Sequence, residues 1–201
     1  MAVRNEPVAD RRYLLTRDHS ISMRAMRTAP SVWKTVSVKA LAGELGSFDR
    51  WVLCGGHSVA LLAGSDTRAH GDIDIGVFRS ELGECLRAIG IERVFLCRDG
   101  RHHAWTGGDV PTDVHDIWIS DRAGKFWSFQ VMVFDDDGDM VIYRRDPRIR
   151  WSKRRHARVI DGVRVLNPFV TFLFKANKAS MEEKEIHDLV KLIEMGGPSS
   201  H

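Results

Sequence analysis

The sequence predicts an α/β (α+β) fold: a mixed β-sheet flanked by helices, with a C-terminal helical segment. Three observations predict it. Between Trp51 and Cys97, short apolar runs alternate with helical patterns. Between Asp113 and Tyr143, strand patterns follow one another across turn residues, as hairpins do. After Asn167-Pro168, two stretches repeat apolar residues at helical spacing. A chain of 201 residues with 43% hydrophobic content is long enough to bury one core. No apolar run approaches the ~20 residues that span a bilayer, which points away from a membrane. Cys54, Cys85 and Cys97 lie in or beside apolar stretches and form no C-x-x-C pair, as expected for reduced thiols of a cytoplasmic protein. A net charge of +3 is too mild to imply nucleic acid by itself.

Residues 1–28 carry six arginines against three acids with no sustained period, and read as a loosely ordered arm. Pro30 and Ser31 supply a helix start, after which Trp33, Val36, Ala40, Leu41 and Leu45 share one helical face, with Trp33 as core. Residues 29–166 then read as one domain and 167–196 as a helical segment packed on it. Trp51-Val-Leu-Cys54 suits a buried strand, Gly55-Gly56 a break, Ser58–Ala63 a closely packed helix, and Gly64 its end. In Asp72–Phe78 the alternation puts Asp72, Asp74 and Gly76 on one strand face and Ile73, Ile75 and Val77 on the other. Ser80 caps a helix to Ile89 with Leu82, Cys85, Leu86 and Ile89 as its buried stripe.

Residues 91–97 read as a strand, and 98–111 as a loop that exposes His102 and His103. Asp113–Ser120 and Trp127–Phe134 flank the turn Asp121–Gly124, and the acid run Asp135–Asp139 reads as the tip of a second hairpin leading to Met140–Tyr143. Val159–Leu166 folds back at Asp161-Gly162. In the last two helices Phe169, Val170, Phe172, Leu173 and Phe174, then Ile186, Leu189, Val190 and Ile193, form the buried sides.

The chemistry concentrates between residues 55 and 74. Two carboxylates two residues apart on a strand point the same way and repel unless a cation lies between them. Hard oxygen ligands on a rigid strand suit Mg²⁺, which completes its shell with water and substrate phosphates. Gly55 and Gly56 at a helix start offer unhindered N–H groups and a positive helix end to a phosphate, with the Ser58 hydroxyl close in sequence.

A Gly-Gly turn, a short helix and then D-x-D on the next strand resembles the signature of the DNA polymerase beta-like nucleotidyltransferase superfamily. The run Gly55-Gly56-x-Ser58 … Gly64-x-x-Thr67-Arg68-x-His70-x-Asp72-Ile73-Asp74 is similar to the small aminoglycoside and lincosamide adenylyltransferases. The resemblance implies the minimal nucleotidyltransferase fold and transfer of a nucleoside monophosphate, AMP first, from ATP or another nucleoside triphosphate to a hydroxyl of a small acceptor such as an antibiotic. Asp72 and Asp74 would hold Mg²⁺, and Gly55, Gly56, Ser58, Arg68, His70 and Lys175 would face the nucleotide. Lys175 comes from a match to a "K-A-K … K-D-x-x-D" pattern, in which Lys184 and Asp188 form an i,i+4 pair.

The chain departs from the superfamily pattern at the third carboxylate, whose place by order falls at Gln130. An amide can offer a carbonyl oxygen but cannot act as a base; Asp116 on the partner strand is the nearest substitute. Residues 144–158 hold eight basic side chains against the single acid Asp146, and Arg144 and Arg145 are candidates for a wall beside the triphosphate. That segment also keeps RNA in view as a toxin-type acceptor, and Gln130 keeps in view a nucleotide-binding protein without transferase activity. A homodimer that builds its acceptor site across two subunits is compatible with the size.

Overall fold

The computed structural model describes residues 27–64, 69–176 and 180–196. In chain order these form α1 (Leu41–Leu45), β1 (Val52–Leu53), α2 (Gly55–Ala63), β2 (Asp74–Phe78), α3 (Arg79–Ile89), β3 (Val94–Arg98), β4 (Arg101–Ala104), β5 (Asp116–Ser120), β6 (Trp127–Asp137), β7 (Met140–Ile142), β8 (Arg150–Ser152), β9 (Ala157–Ile160), β10 (Val163–Leu166), α4 (Pro168–Ala176) and α5 (Glu183–Gly196). The main sheet runs β4-β3-β5-β6-β2-β1-β10-β9, and β7 and β8 extend it from the far end of β6. β2 pairs with β6, and β1 with β10, in parallel, while the other neighbours are antiparallel. This is the mixed sheet flanked by helices that the sequence predicts.

The pleat gives the sheet two unlike faces. Ile75 and Val77 of β2, Val131 and Val133 of β6, and Ile117 and Ile119 of β5 bury one face under Leu41 and Leu45 of α1 and Leu82, Cys85 and Leu86 of α3. Each large aliphatic side chain so buried contributes roughly 1.5–3 kcal/mol. The stripe predicted for α3 is the one that packs. On the opposite face stand Asp74 and Gly76, then Gln130 and Met132 in register beside them, then Asp116 opposite Met132. Register partners point the same way, so this face gathers the polar side chains.

Several elements differ from expectation for reasons visible in the packing. The helix expected from Ser31 shrinks to a 3-10 turn at Val38–Ala40 and α1. Residues 32–36 instead run alongside the start of β6: Trp127 N–H donates to Val32 O at 2.8 Å and Lys34 N–H to Trp127 O at 2.9 Å. The unpaired side of β6 ahead of β2, together with β-branched Val32, Thr35 and Val36, outweighs the helical spacing. Trp33 is consequently partly exposed. The arm expected over residues 1–28 lies outside the described residues except for Arg27, which donates to Ile91 O, and Thr28.

The stretch read as a loop over 98–111 contains β4, where His102 pairs opposite Cys97. The acid run is no hairpin tip in its first half: Asp135, Asp136 and Asp137 belong to β6, and the turn comes at Gly138. Ser80 does not cap α3, which begins at Arg79; the Asp136 carboxylate accepts from Ser80 N–H at 2.9 Å and from Ser80 Oγ at 2.6 Å, capping the helix from another strand. The turn at Asp161-Gly162 and the helix start at Asn167-Pro168 are as expected, with Asn167 Oδ1 accepting from Phe169 N–H at 3.0 Å.

The C-terminal helices keep part of their predicted buried sides, with Val170 and Leu189 in the core, and turn the rest outward. Phe169 is 74% exposed, and Ile186, Val190 and Ile193 are exposed too, whereas α5 buries Glu185, Asp188, Leu189 and Leu192. The expected pair Lys184–Asp188 is not formed: Lys184 meets Glu182 at 2.9 Å, and Asp188, 1% exposed, meets Lys175 at 2.8 Å. The ion pair with Lys175 holds the Asp188 face of α5 inward, because a carboxylate taken out of water needs counter-charge beside it.

Candidate active site

The first turn of α2 meets the first residue of β2. Gly55 has φ +64°, and a Cβ at this position would lie 1.9 Å from Asp74 Oδ2. Only glycine permits that approach, so the turn and the carboxylate are built for each other. Cys54 N–H donates to Asp74 O at 2.8 Å and holds the two segments together. Around Asp74 lies a cleft of about 210 Å³ whose lining includes Gly55, Met132, Arg144, Arg145, Lys175 and Glu185. A larger groove of about 780 Å³, lined by Leu62, Phe169, Phe172 and Ile193 with Arg158 at its side, lies away from the carboxylates. Its walls lack converging polar groups, so the smaller cleft is the better candidate for chemistry.

Asp74 is electrostatically uncomfortable. Burial first, then the neighbouring Asp72, push its carboxyl up to about 7; Lys175 opposes the shift and Asp116 adds to it. The same burial, with Asp74 beside it, raises the Cys54 thiol well above its ordinary value, so that thiol is inert. A carboxylate crowded by two others with a single cation in opposition is a donor set for a divalent ion. Among the described residues no group of three His, Cys, Asp or Glu side chains is preformed for a metal. Asp72 and Asp74 are the two carboxylates that could hold such an ion, with the rest of its shell left to water and substrate oxygens.

The other sequence candidates distribute as follows. Gln130 sits in register with Asp74 on the adjacent parallel strand, and its Nε2 donates to Asp116 Oδ1 at 3.3 Å. Asp116 thus shares the face of Asp74 and is close enough to act on its titration; Arg144 approaches it at 3.9 Å. Gly56 lies in the first turn of α2. Ser58 is fully buried and its hydroxyl donates to Gly55 O at 2.8 Å, inside the helix, which turns it away from the phosphate position expected of it. His70 packs its ring 4.4 Å from that of His57. Arg68 lies outside the described residues. Lys175, Arg144 and Arg145 form a cationic wall on the cleft, whereas Lys153 and Arg148 of the basic segment are bound to Asp136 and Asp146.

Two placements escaped the sequence reading: Glu185 comes to line the cleft, and Asp188 pairs with Lys175 and not with Lys184. A polar residue three positions from another within an apolar helical stripe was the available signal.

No family model matches the sequence, and no curated protein does. Solved structures do match. The lincosamide antibiotic adenylyltransferase LnuA, determined with lincomycin bound, superimposes with a TM-score of 0.53 at 14% identity, over 81% of this chain and 99% of LnuA. The chain has a nucleotidyltransferase fold. A second adenylyl-transfer structure, ANT(2'')-Ia in complex with adenylyl-2''-tobramycin, gives a TM-score of 0.46 at 14% identity over 73% of this chain and 79% of the other. Among the described residues no helix is long and apolar enough to cross a membrane.

Proposed function

We propose that the protein is a Mg²⁺-dependent nucleotidyltransferase that moves AMP from ATP to a hydroxyl of a small molecule, of the kind represented by the lincosamide of the LnuA structure. The observation that carries the reading is the fit of Gly55 against Asp74 beneath a wall of Lys175, Arg144 and Arg145. Polyphosphate on the α2 side meets the backbone N–H groups of Gly55 and Gly56 and the cations Lys175 and Arg145, which neutralise the charge that builds on the leaving pyrophosphate. Asp72 and Asp74 would hold the ion, which would supply neutralisation of phosphate charge there. The acceptor hydroxyl oxygen forms a bond to the α-phosphorus, the bond from that phosphorus to the bridging oxygen of the β-phosphate breaks, and pyrophosphate leaves. Asp116 takes the hydroxyl proton, and Gln130 orients Asp116 through its 3.3 Å hydrogen bond.

The test is pyrophosphate release from ATP, CTP, GTP and UTP with Mg²⁺, offered lincomycin, tobramycin and bulk transfer RNA in turn, beside a D72N/D74N double variant. Release that requires one small acceptor and vanishes in the variant is expected. Release with transfer RNA alone would assign the toxin-type reading, and Mg²⁺-dependent ATP binding without release to any acceptor would leave a nucleotide-binding protein.

A further inference from the structure

The sheet face that carries Asp74 continues past the carboxylates into an aromatic surface. Trp118 stands directly opposite Gln130 across β5 and β6, and Gln130 stands opposite Asp74 across β6 and β2. Two strand spacings, roughly 10 Å, separate Trp118 from Asp74. Around Trp118 gather Trp33 at 4.9 Å and His102 at 4.3 Å between ring centroids, backed edge-on by buried Trp127 at 5.1 Å. Trp33, Trp118 and His102 are each partly exposed, whereas Trp127 and Phe95 beneath them are 2% exposed. The two buried rings are core. The three partly exposed rings present aromatic surface to solvent next to the reacting groups.

We infer that Trp118, His102 and Trp33 form the acceptor subsite, and that the acceptor is a neutral hydroxylated ring compound, a glycoside or nucleoside, which lays the apolar side of a ring on them. This rests on the nucleotidyltransferase reading. Displacement at phosphorus needs the attacking oxygen on the side opposite the leaving group. The cations Lys175 and Arg145 and the α2 N-terminus place the leaving pyrophosphate on one side of Asp74, so the attacking hydroxyl must come from the other, over Gln130 and Asp116. The next side chain in that direction is Trp118. An acceptor whose ring rests on Trp118 has a span of one to two rings in which to bring a hydroxyl to Asp116. Ring stacking on an aromatic surface gives affinity without charge, and Trp118 cannot grip a flexible acyclic polyol in the same way.

The experiment titrates intrinsic tryptophan fluorescence, with Mg²⁺ and a non-hydrolysable ATP analogue present, using lincomycin, p-nitrophenyl β-glucopyranoside and adenosine as ring probes and sorbitol as the acyclic probe. At least one ring probe should give a saturable change, with affinity at least tenfold weaker in Trp118→Ala and weakened in His102→Ala, while Trp118→Phe retains it within about threefold. Sorbitol should be silent. The variants should bind the ATP analogue like the wild type, which shows that they fold and separates this subsite from the nucleotide site. Absence of any ring-probe response, or a response unchanged in Trp118→Ala and His102→Ala, would overturn the assignment. Failure of the wild type to bind the analogue would instead overturn the nucleotidyltransferase reading on which it rests.

Discussion

Two pairs of aspartates stand on or just before neighbouring parallel strands of this molecule, Asp72 lying two residues ahead of β2, and only one pair is at rest. Asp135 and Asp136 on β6 are supplied with partners by the chain itself. Arg79 Nε donates to Asp135 Oδ1 at 2.5 Å and His115 Nε2 lies 2.8 Å from Oδ2, while Asp136 holds Lys153 at 2.6 Å and both donors of Ser80. Burial would raise both carboxyls, but the hydrogen bonds and ion pairs outweigh it and hold them below the usual range. Asp72 and Asp74 reverse this. Asp74 is pressed upward by burial and by Asp72, and Lys175, the cation that opposes the shift, is already paired with Asp188. Acid pairs that look alike in sequence are thus told apart by their counter-charge: the fold supplies it in full for one pair, and under the proposed function a bound cation supplies it for the other.

The comparison breaks first at Asp74. Replacing it by Asn should abolish Mg²⁺-dependent pyrophosphate release, a loss of at least about 10³-fold if charge neutralisation dominates catalysis. The same substitution should stabilise the metal-free protein. An acid whose carboxyl is raised to about 7 in the folded state has shed its proton in the unfolded chain from near pH 4 upward. The wild type therefore loses stability as pH rises from 4 to 7, and above pH 7 the Asn variant gains on the order of 2–4 kcal/mol. A melting curve at pH 8 that drops for Asp74→Asn would remove the idea that this carboxylate waits for a cation. A smaller but still large effect follows at Gly55. A methyl group there collides with Asp74 Oδ2 and the positive φ is strained, so Gly55→Ala should cost about 1–3 kcal/mol of stability. It should also reduce kcat/KM by about 10²-fold through displacement of the carboxylate. Retention of full activity by that variant would sever the turn from the chemistry.

The fold's local pieces were largely legible because they rest on alternation and turn residues. The β2 pleat, the α3 stripe, the Asp121–Gly124 turn and the Pro168 helix start all follow from neighbours in sequence. What stayed hidden depended on distant partners. Trp33 has helical spacing yet lies along β6, since the free backbone groups there belong to Trp127 and Ser128, far along the chain. Ile186, Val190 and Ile193 look like a core stripe, yet the buried ion pair of Asp188 with Lys175 turns them outward. At the site, Asp74 and Gly55 could be placed by motif, but the adjacency of Asp116 to Gln130 required the β5–β6 register. The aromatic surface required two further strands, one of them, β4, inside a stretch whose Gly, Arg and His content reads as loop.

The comparison is sharpened last, and most gently, at the settled pair. Asp135 ties Arg79 and His115 to one another, and Arg79 in turn donates to Thr112 O at 3.2 Å and Val114 O at 2.9 Å. Asp135→Asn keeps the shape but loses the charge on one acceptor, so the expected cost is about 1–2 kcal/mol, read as a lower melting temperature. Nucleotide affinity should not move, because the pair faces α3 and not the cleft. Since the carboxyls of Asp135 and Asp136 are lowered in the folded state, their contribution is complete above their unfolded value near 4 and is lost as pH falls through the lower folded values. Acid unfolding should therefore be shallower in Asp135→Asn than in the wild type below pH 4. The Asp74→Asn variant should differ from the wild type on the other side, between pH 4 and 7. Two variants that diverge from the wild type in the same pH window would mean that both acid pairs are structural, and that the chemistry assigned to Asp72 and Asp74 lies elsewhere.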